Sequence, residues 1–287
     1  MNALDKKIDF IVTFSVENAN PNGDPLNGNL PRTDITSHGE MSDVSIKRKI
    51  RNRMQDLGEP IFVQANERVD DGNYSLEARY KAHKKEMGKE DKEIFDYFCN
   101  TWSDTRAFGQ VITFDKKSIG IRGPVSVSLA KSILPISIST MQITRSTNGM
   151  ESKKGERSSD TMGTKSFVDY GVYKFCGSIN PYFAEKTGFT EEDAECIKES
   201  LIDLFANDAS SARPEGSMEV QEVFWFTHPN KLGVASSGKI HRLLETDPNM
   251  DLTEEISDYE QFQVHLNAEK LKEYEEKGMR VEILSGR

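Results

Sequence analysis

Three aspartates lie in or beside the first long polar segment of the chain: Asp24, Asp34 and Asp43. Loop carboxylates can hold a magnesium ion and activate water against a phosphodiester, so a metal-dependent nuclease is one reading of them. Each also has an ordinary role, because Asp24 and Asp34 sit among turn formers and Ser42 or Asp43 can cap the helix that follows. The spacing Asn18, Asn20, Asn22, Gly23 imitates the opening of a calcium loop, but its twelfth position is Asn29 where a bidentate Glu is required. A second group is cationic. Between Met41 and Met54 stand Lys47, Arg48, Lys49, Arg51 and Arg53 against one acid, Asp43, a set suited to phosphate. A charged stripe beside an apolar one is also what any surface helix shows, which leaves the plain reading open. A third group, Tyr170-Gly-Val-Tyr-Lys-Phe175, is a faint form of the aromatic signature that stacks bases on a sheet, with Asp169 where a basic residue belongs. Tyr173 and Phe175 are expected to pack in the core instead. No Ser/His/Asp, Cys/His or P-loop arrangement is visible.

These groups must be positioned by regular elements. Ile8, Phe10, Val12, Phe14 and Val16 alternate with their neighbours at a period of two, which predicts a strand with one face well buried. Turn formers from Asn18 to Pro25 end it, and the loop continues through Gly28, Pro31 and Gly39. From Ser42 or Asp43 onward, Ile46, Ile50, Met54 and Leu57 share one helical face, with Lys47 and Arg51 side by side at its margin and Arg48 farther round. Residues 58–135 read as an insertion, with a short helix at Lys92 to Cys99 and a hairpin joining Val111–Phe114 to Ile119–Ile121. Ile136 to Arg145 reads as a strand, Ser146 to Lys165 as a protruding loop, and Tyr170 to Ile179 as another strand. Thr190-x-x-Asp193 is a capping box opening a helix that buries Ala194, Ile197, Leu201, Leu204 and Phe205. Val220 to Phe226 is expected to be the last core strand before an acidic tail. The resulting order, strand, helix, strand, strand, helix, strand, is the split βαβ plan, so the fold class is α+β with an RRM-like or ferredoxin-like palm.

Composition narrows the classes of function. The chain has 287 residues, enough for a sizeable core without a disulfide or metal staple. Cys99, Cys176 and Cys196 are widely spaced and odd in number, which suggests reduced thiols rather than a disulfide framework or zinc site. The histidines (His38, His83, His228, His241, His265) are scattered, so no metal ligand set and no cofactor is expected. No targeting leader or membrane-length apolar run is visible, which predicts a cytoplasmic protein. The net charge of −10 opposes nucleic-acid binding at first sight. Its distribution removes the objection: acids crowd the stretch from Glu191 to Glu222, while the segment from Lys47 to Arg53 is basic, as expected of a body that meets a polyanion on one face only.

Several motifs, taken in order, resemble one family. They are Asn20-Pro-Asn-Gly-Asp-Pro25 with Gly28-Asn-Leu-Pro-Arg32, Asp43-Val-Ser-Ile-Lys-Arg-Lys-Ile-Arg51, Asp104-Thr-Arg-Ala-Phe-Gly109 and Ile119-Gly-Ile-Arg-Gly-Pro-Val125. The set is similar to the backbone subunits of CRISPR Cascade surveillance complexes, specifically their type I-C branch, and it spans the first half of the chain. The resemblance implies a hand-shaped subunit that polymerises along the spacer of a guide RNA. Its palm would be residues 1–57 and 136–235, its fingers 58–135, and its thumb 146–168. An acidic extension, 236–287, would complete the palm. The resemblance further implies guide-phosphate contacts from Ser42, Lys47 and Arg51, with Arg48 and Arg32 nearby and Arg106, Arg122 and Arg145 as additional candidates. Arg106 is equally suited to a buried ion pair. Related subunits have Gln where this chain has Val44, so a side-chain hydrogen bond there is not carried over. Lys153, Lys154 and Lys165 on the thumb are candidates for the target DNA strand. The implied partners are the guide RNA, the target strand, further copies of the chain, other Cascade subunits and, indirectly, a helicase-nuclease. Type I relatives bind without cutting, so no catalysis is expected. The alternatives are an RNA-cleaving subunit that uses a first-loop aspartate and a filament scaffold without nucleic acid.

Overall fold

The computed structural model describes residues 2–144, 162–247 and 256–287. The first strand, β1 (Ile8–Ala19), is followed by the short β2 (Gly23–Asp24), β3 (Leu30–Pro31) and β4 (His38–Met41), then by helix α1 (Asp43–Asp56). A helical segment follows with α2 (Leu76–Ala82), α3 (Asp91–Thr101) and α4 (Ser103–Phe108). Strands β5 (Gly109–Ile112), β6 (Ile119–Arg122), β7 (Val125–Val127), β8 (Ala130–Pro135), β9 (Ile138–Thr144) and β10 (Met162–Ile179) come next. Two helices, α5 (Pro181–Thr187) and α6 (Glu191–Ile202), lead to β11 (Met218–Thr227). The chain closes with α7 (Ser237–Ile240), β12 (Leu244–Glu245), β13 (His265–Leu266), α8 (Ala268–Glu276) and β14 (Arg280–Ser285).

The architecture is mixed α+β around one large antiparallel sheet, ordered β14-β11-β1-β10-β8-β4, with β7 and β9 also pairing with β10. Strand β1 lies at its centre, antiparallel to β10 on one side and β11 on the other. Its even-numbered residues Phe10, Val12, Phe14 and Val16 join Ile46, Ile50 and Met54 of α1 and Ala194, Ile197 and Leu201 of α6 in the main core. Its other face is covered too. Ile11, Phe224 and Phe226 pack beneath Ile240, Leu243, Leu244, Tyr274 and Met279 from the C-terminal segment. Alternation alone reveals one buried face, and the second is buried by residues more than two hundred positions away.

Two expectations are corrected here. The strand expected from Tyr170 begins at Met162, so Met162 to Lys165 belong to β10 and pair with β9 in a hairpin. The strand expected to be last, β11, has a neighbour outside it: β14 pairs with it from Glu222↔Ser285 to Thr227↔Arg280. The expected hairpin forms two residues earlier on its first strand, Gly109–Ile112 with Ile119–Arg122, and β7, β8, α2, α4, α5 and α8 carry no signal read from the sequence. Ser42 caps α1 by accepting from the Ser45 N–H, and Thr190 with Asp193 forms the capping box of α6. Tyr173 and Phe175 are buried in the main core.

The stretch between α1 and β7 builds a second core from Phe62, Tyr80, Ile94, Phe98, Trp102, Ile112 and Ile119. Phe62, Phe98 and Trp102 pack mutually with ring centroids 4.8 to 4.9 Å apart. Arg79, only 2% exposed, ties its edge together. The guanidinium donates to Phe62 O (2.7 Å), Gln64 Oε1 (3.0 Å) and Asn73 O (2.8 Å) and pairs with Asp71. Arg79→Ala would leave the Phe62 and Asn73 carbonyls without their donor, at about 1–3 kcal/mol for an unsatisfied buried group, and should destabilise the second core by about that amount. The two tryptophans divide between the cores, Trp102 in the second and Trp225 in the main one. Urea unfolding followed by Trp102 fluorescence in a Trp225→Phe background should show the Arg79→Ala transition at markedly lower denaturant, and an unchanged midpoint would refute the assignment.

Candidate nucleic-acid interface

The segment between β1 and α1 is shaped by its own polar side chains. Asn20 Nδ2 donates to Asn29 O (2.7 Å), and Asn22 Oδ1 accepts from the backbone N–H of Ser42 (2.9 Å), fixing the entry to α1. Asp24 Oδ1 accepts from Leu26 N (3.2 Å) and lies 3.4 Å from Arg32 Nη2. Asp34 accepts from Thr36 N (2.8 Å) and His38 N (3.0 Å) and pairs with Lys131. The Lys131 ammonium and the Thr36 hydroxyl hold the Asp34 carboxyl well below its ordinary range. Both loop aspartates thus serve as turn formers.

The basic margin of α1 is less free than its composition suggests. Lys47 pairs with Asp43 one turn back (2.9 Å). Lys49, read as part of the basic strip, is 4% exposed, pairs with Asp208 and lies over the Phe205 ring. Arg53 makes a two-pronged pair with Asp203 at 2.7 and 2.8 Å. Arg51 donates through Nε to Asp104 Oδ2 (2.8 Å) and stacks over Phe108, 4.8 Å from the ring centroid. Arg48 alone of the five has no carboxylate within 4 Å among the described residues; its Nη1 donates to Val63 O (2.6 Å). Burial, reinforced by neighbouring Arg51, lowers its pKa.

Asp104 is the hidden member of this site. It is 0% exposed and accepts from Arg51 Nε, from Phe62 N (2.7 Å) and from Val63 N (3.1 Å). The two motifs around it are held by glycines: Gly109, at φ +81°, and Gly123 are packed so closely that a Cβ on either would collide with the backbone of Ile121 or Ala107. The sequence marked the Asp104–Gly109 motif without revealing this role, because a buried acid is recognisable only once its donors are in place.

The other site candidates divide. Arg106 pairs with Asp193 through two contacts of 2.6 and 2.9 Å and also donates to Cys99 O, the ion-pair role foreseen for it. Arg122 is exposed and lies over the Phe183 ring at 4.1 Å. Lys165 sits in β10 opposite Met141 of β9. Arg145, Lys153 and Lys154 lie outside the described residues. Among the described residues no trio of His, Cys, Asp or Glu could hold a metal ion, and no helix is long and apolar enough to cross a membrane. Burial raises the pKa of all three cysteines, to about 11 for Cys176 and about 12 for Cys99 and Cys196, which leaves them protonated and unreactive.

Fold and site together describe an α+β protein with a large antiparallel sheet, a fold shared with chains of RNA-guided assemblies. A chain of a CRISPR RNA-guided surveillance complex superposes with TM-score 0.53, covering 98% of this chain and 89% of that one at 14% identity. A chain of such a complex in a pre-nicking state superposes with TM-score 0.51, covering 77% and 78% at 14% identity. A CRISPR-associated protein Cas7 of Haloferax volcanii is 24% identical over 212 residues, which span 65% of this chain and 60% of that relative. The family model of the CRISPR-associated protein Cas7 matches residues 6–267, and the chain belongs to that family.

Two outcomes follow from the paired charges. Asp104→Ala leaves Arg51 and two backbone N–H groups without their buried acceptor, and should lower stability to urea by about 3–5 kcal/mol; a loss below about 1 kcal/mol would remove Asp104 from this role. Burial, opposed by Asp208 and reinforced by Arg213, pushes the pKa of Lys49 down to about 8 from 10.5. Below pH 8 both folded and unfolded chains hold the proton and the desolvation cost is fully present. Between about pH 8 and 10.5 the unfolded chain binds more protons, so this residue adds stability as pH rises, about 3 kcal/mol in all. Lys49→Met leaves Asp208 paired with Arg213 (3.2 Å). Urea titrations of both proteins across that window should show wild type gaining relative to the variant, and parallel profiles would contradict the shift.

Proposed function

We propose that this chain is a non-catalytic backbone subunit of a type I-C CRISPR surveillance complex, repeated along the spacer of a guide RNA that it holds by phosphates without reading sequence. The match to the Cas7 family over residues 6–267 carries this reading. The sheet order β11-β1-β10-β8, with α1 and α6 on one face, supports an RRM-like palm of the split βαβ plan. In the proposed organisation residues 1–57 and 136–235 form the palm, 58–135 the fingers, 146–168 the thumb, and 236–287 complete the palm. The second hydrophobic core favours fingers that fold as a unit, and the β9–β10 hairpin favours a thumb rising from the palm.

Ser42, Lys47 and Arg48 at the half-buried margin of α1 are the proposed phosphate contacts, with Arg32 and the outer nitrogens of Arg51 as further candidates. Positive side chains fixed in place neutralise phosphate whatever the base, as a subunit serving any spacer requires. Target DNA, neighbouring copies, other Cascade subunits and a recruited helicase-nuclease complete the proposed partners, in the cytoplasm. The turn-forming roles of Asp24 and Asp34 favour binding over cleavage.

Arg51→Glu would set a second carboxylate against buried Asp104, so the informative variant is Lys47→Glu with Arg48→Gln. Single-stranded guide RNA should bind wild type with steep salt dependence and indifference to sequence, and the double variant should bind at least about tenfold more weakly. The RNA should remain intact in magnesium. Cleavage abolished by Asp24→Asn or Asp34→Asn would make the protein a nuclease instead, and undiminished RNA retention by the double variant would favour the scaffold reading.

A further inference from the structure

A second cluster of cations lies away from the margin of α1, on α5 and the strand beside it. Arg122 of β6 is exposed and its guanidinium lies 4.1 Å from the centroid of Phe183. Lys186 Nζ lies 5.7 Å from the same ring on its other neighbour turn. Lys231 Nζ lies 6.0 Å from the ring of Tyr182, which is 47% exposed. Neither Arg122 nor Lys186 has a carboxylate within 4 Å among the described residues, while Lys231 pairs with Glu185. Three cations thus lie beside one exposed and one half-buried ring, with Glu185 and Asp5 near Lys231 alone, on a protein whose net charge is −10.

We propose that Arg122, Tyr182, Phe183, Lys186 and Lys231 form a second contact for single-stranded nucleic acid, one that takes bases on rings and guanidinium as well as phosphates on ammonium groups. The inference rests on the reading of the chain as an RNA-binding subunit and extends it to a different surface and a different kind of contact. Each element of the cluster suits that ligand. A cation held over a ring is positioned before the ligand arrives, and a planar guanidinium with one side on Phe183 offers the other to a base. An exposed tyrosine ring next in sequence to a ring flanked by Arg122 and Lys186 joins stacking area to positive charge, the combination by which sequence-tolerant single-strand binders stack bases while tracking the backbone. The cluster is tied to the first site through α4, which holds Arg51 by Asp104 and Phe108 and packs against both α5 and β6.

The test uses the full chain and a fluorescently labelled oligouridylate, with anisotropy titrations over a range of salt and a thermal melt of each variant to confirm folding. Arg122→Gln with Lys186→Gln should weaken binding about tenfold and reduce the slope of log affinity against log salt by about 1.4, the loss of two single-strand phosphate contacts. Tyr182→Ala should weaken binding by about fivefold or more while leaving the slope unchanged, because stacking releases no counterions. Comparison with Lys47→Glu, Arg48→Gln separates the two sites. If that variant loses RNA while the α5 variants keep wild-type affinity and slope, the second contact is overturned and the proposed function stands. If wild type itself binds no oligouridylate, both fall. If the α5 variants bind RNA normally but no longer retain a protein subunit of the complex, the cluster is a protein-docking surface and the inference is wrong.

Discussion

The buried carboxylate of Asp104 is the joint on which the rest of this molecule turns. It accepts three hydrogen bonds, one from Arg51 on α1 and two from the backbone of Phe62 and Val63, where the second core begins. A carboxylate without exposure is tolerable only when its oxygens are satisfied, and here the donors come from both regions, which Arg48, Gln55 and Arg68 also hold together. Val63, fixed through its N–H, returns its carbonyl to Arg48. The position of the one α1 cation without a carboxylate is therefore set by the same joint that ties the helix to the second core.

The same arithmetic of charges resolves the tension between an acidic protein and an anionic ligand. Most basic residues of α1 are neutralised within the fold: Lys49 by Asp208, Arg51 by Asp104, Arg53 by Asp203 and Lys47 by Asp43. Net charge then says little about where a polyanion can bind, because long-range repulsion is screened within about 8–10 Å at physiological salt. What matters is a small number of cations left without an acid and held at fixed positions. Arg48, Arg122 and Lys186 meet that description among the described residues.

Local signals were legible and distant ones were not. Strand β1, helix α1 with its Ser42 cap, and helix α6 with its capping box follow from alternation, amphipathic spacing and cap residues a few positions apart. Strand β14 was missed because its pairing partner, β11, lies more than fifty residues earlier and its own sequence, Arg280 to Ser285, is half polar at a sheet edge. The start of β10 was misplaced because Met162 to Lys165 pair with β9 across an intervening segment rich in Gly, Ser and charge, and that composition masked the strand. The basic segment is legible, but not which of its members find carboxylates, since Lys49 meets Asp208 and Phe205 past α6 while Arg48 meets only the Val63 carbonyl.

The covered sheet face decides which part of the palm is open to a ligand. In an RRM-like sheet the face opposite the helices usually displays stacking aromatics. Here that face carries Ile11, Phe224 and Phe226 beneath the C-terminal layer, and Thr13 shares hydrogen bonds with Tyr259 and Glu222. The faint aromatic signature fails for the same reason, because Tyr173 and Phe175 point to the opposite side and fill the main core against Phe14. With one face covered by helices and the β1–β11 region of the other by the C-terminal layer, the proposed nucleic-acid contacts fall at the margins of the helices. Arg48 of α1 and Lys186 of α5, without a carboxylate within 4 Å among the described residues, lie at such margins, which is why the proposed grip on the ligand is chiefly through phosphate rather than through a base-stacking sheet.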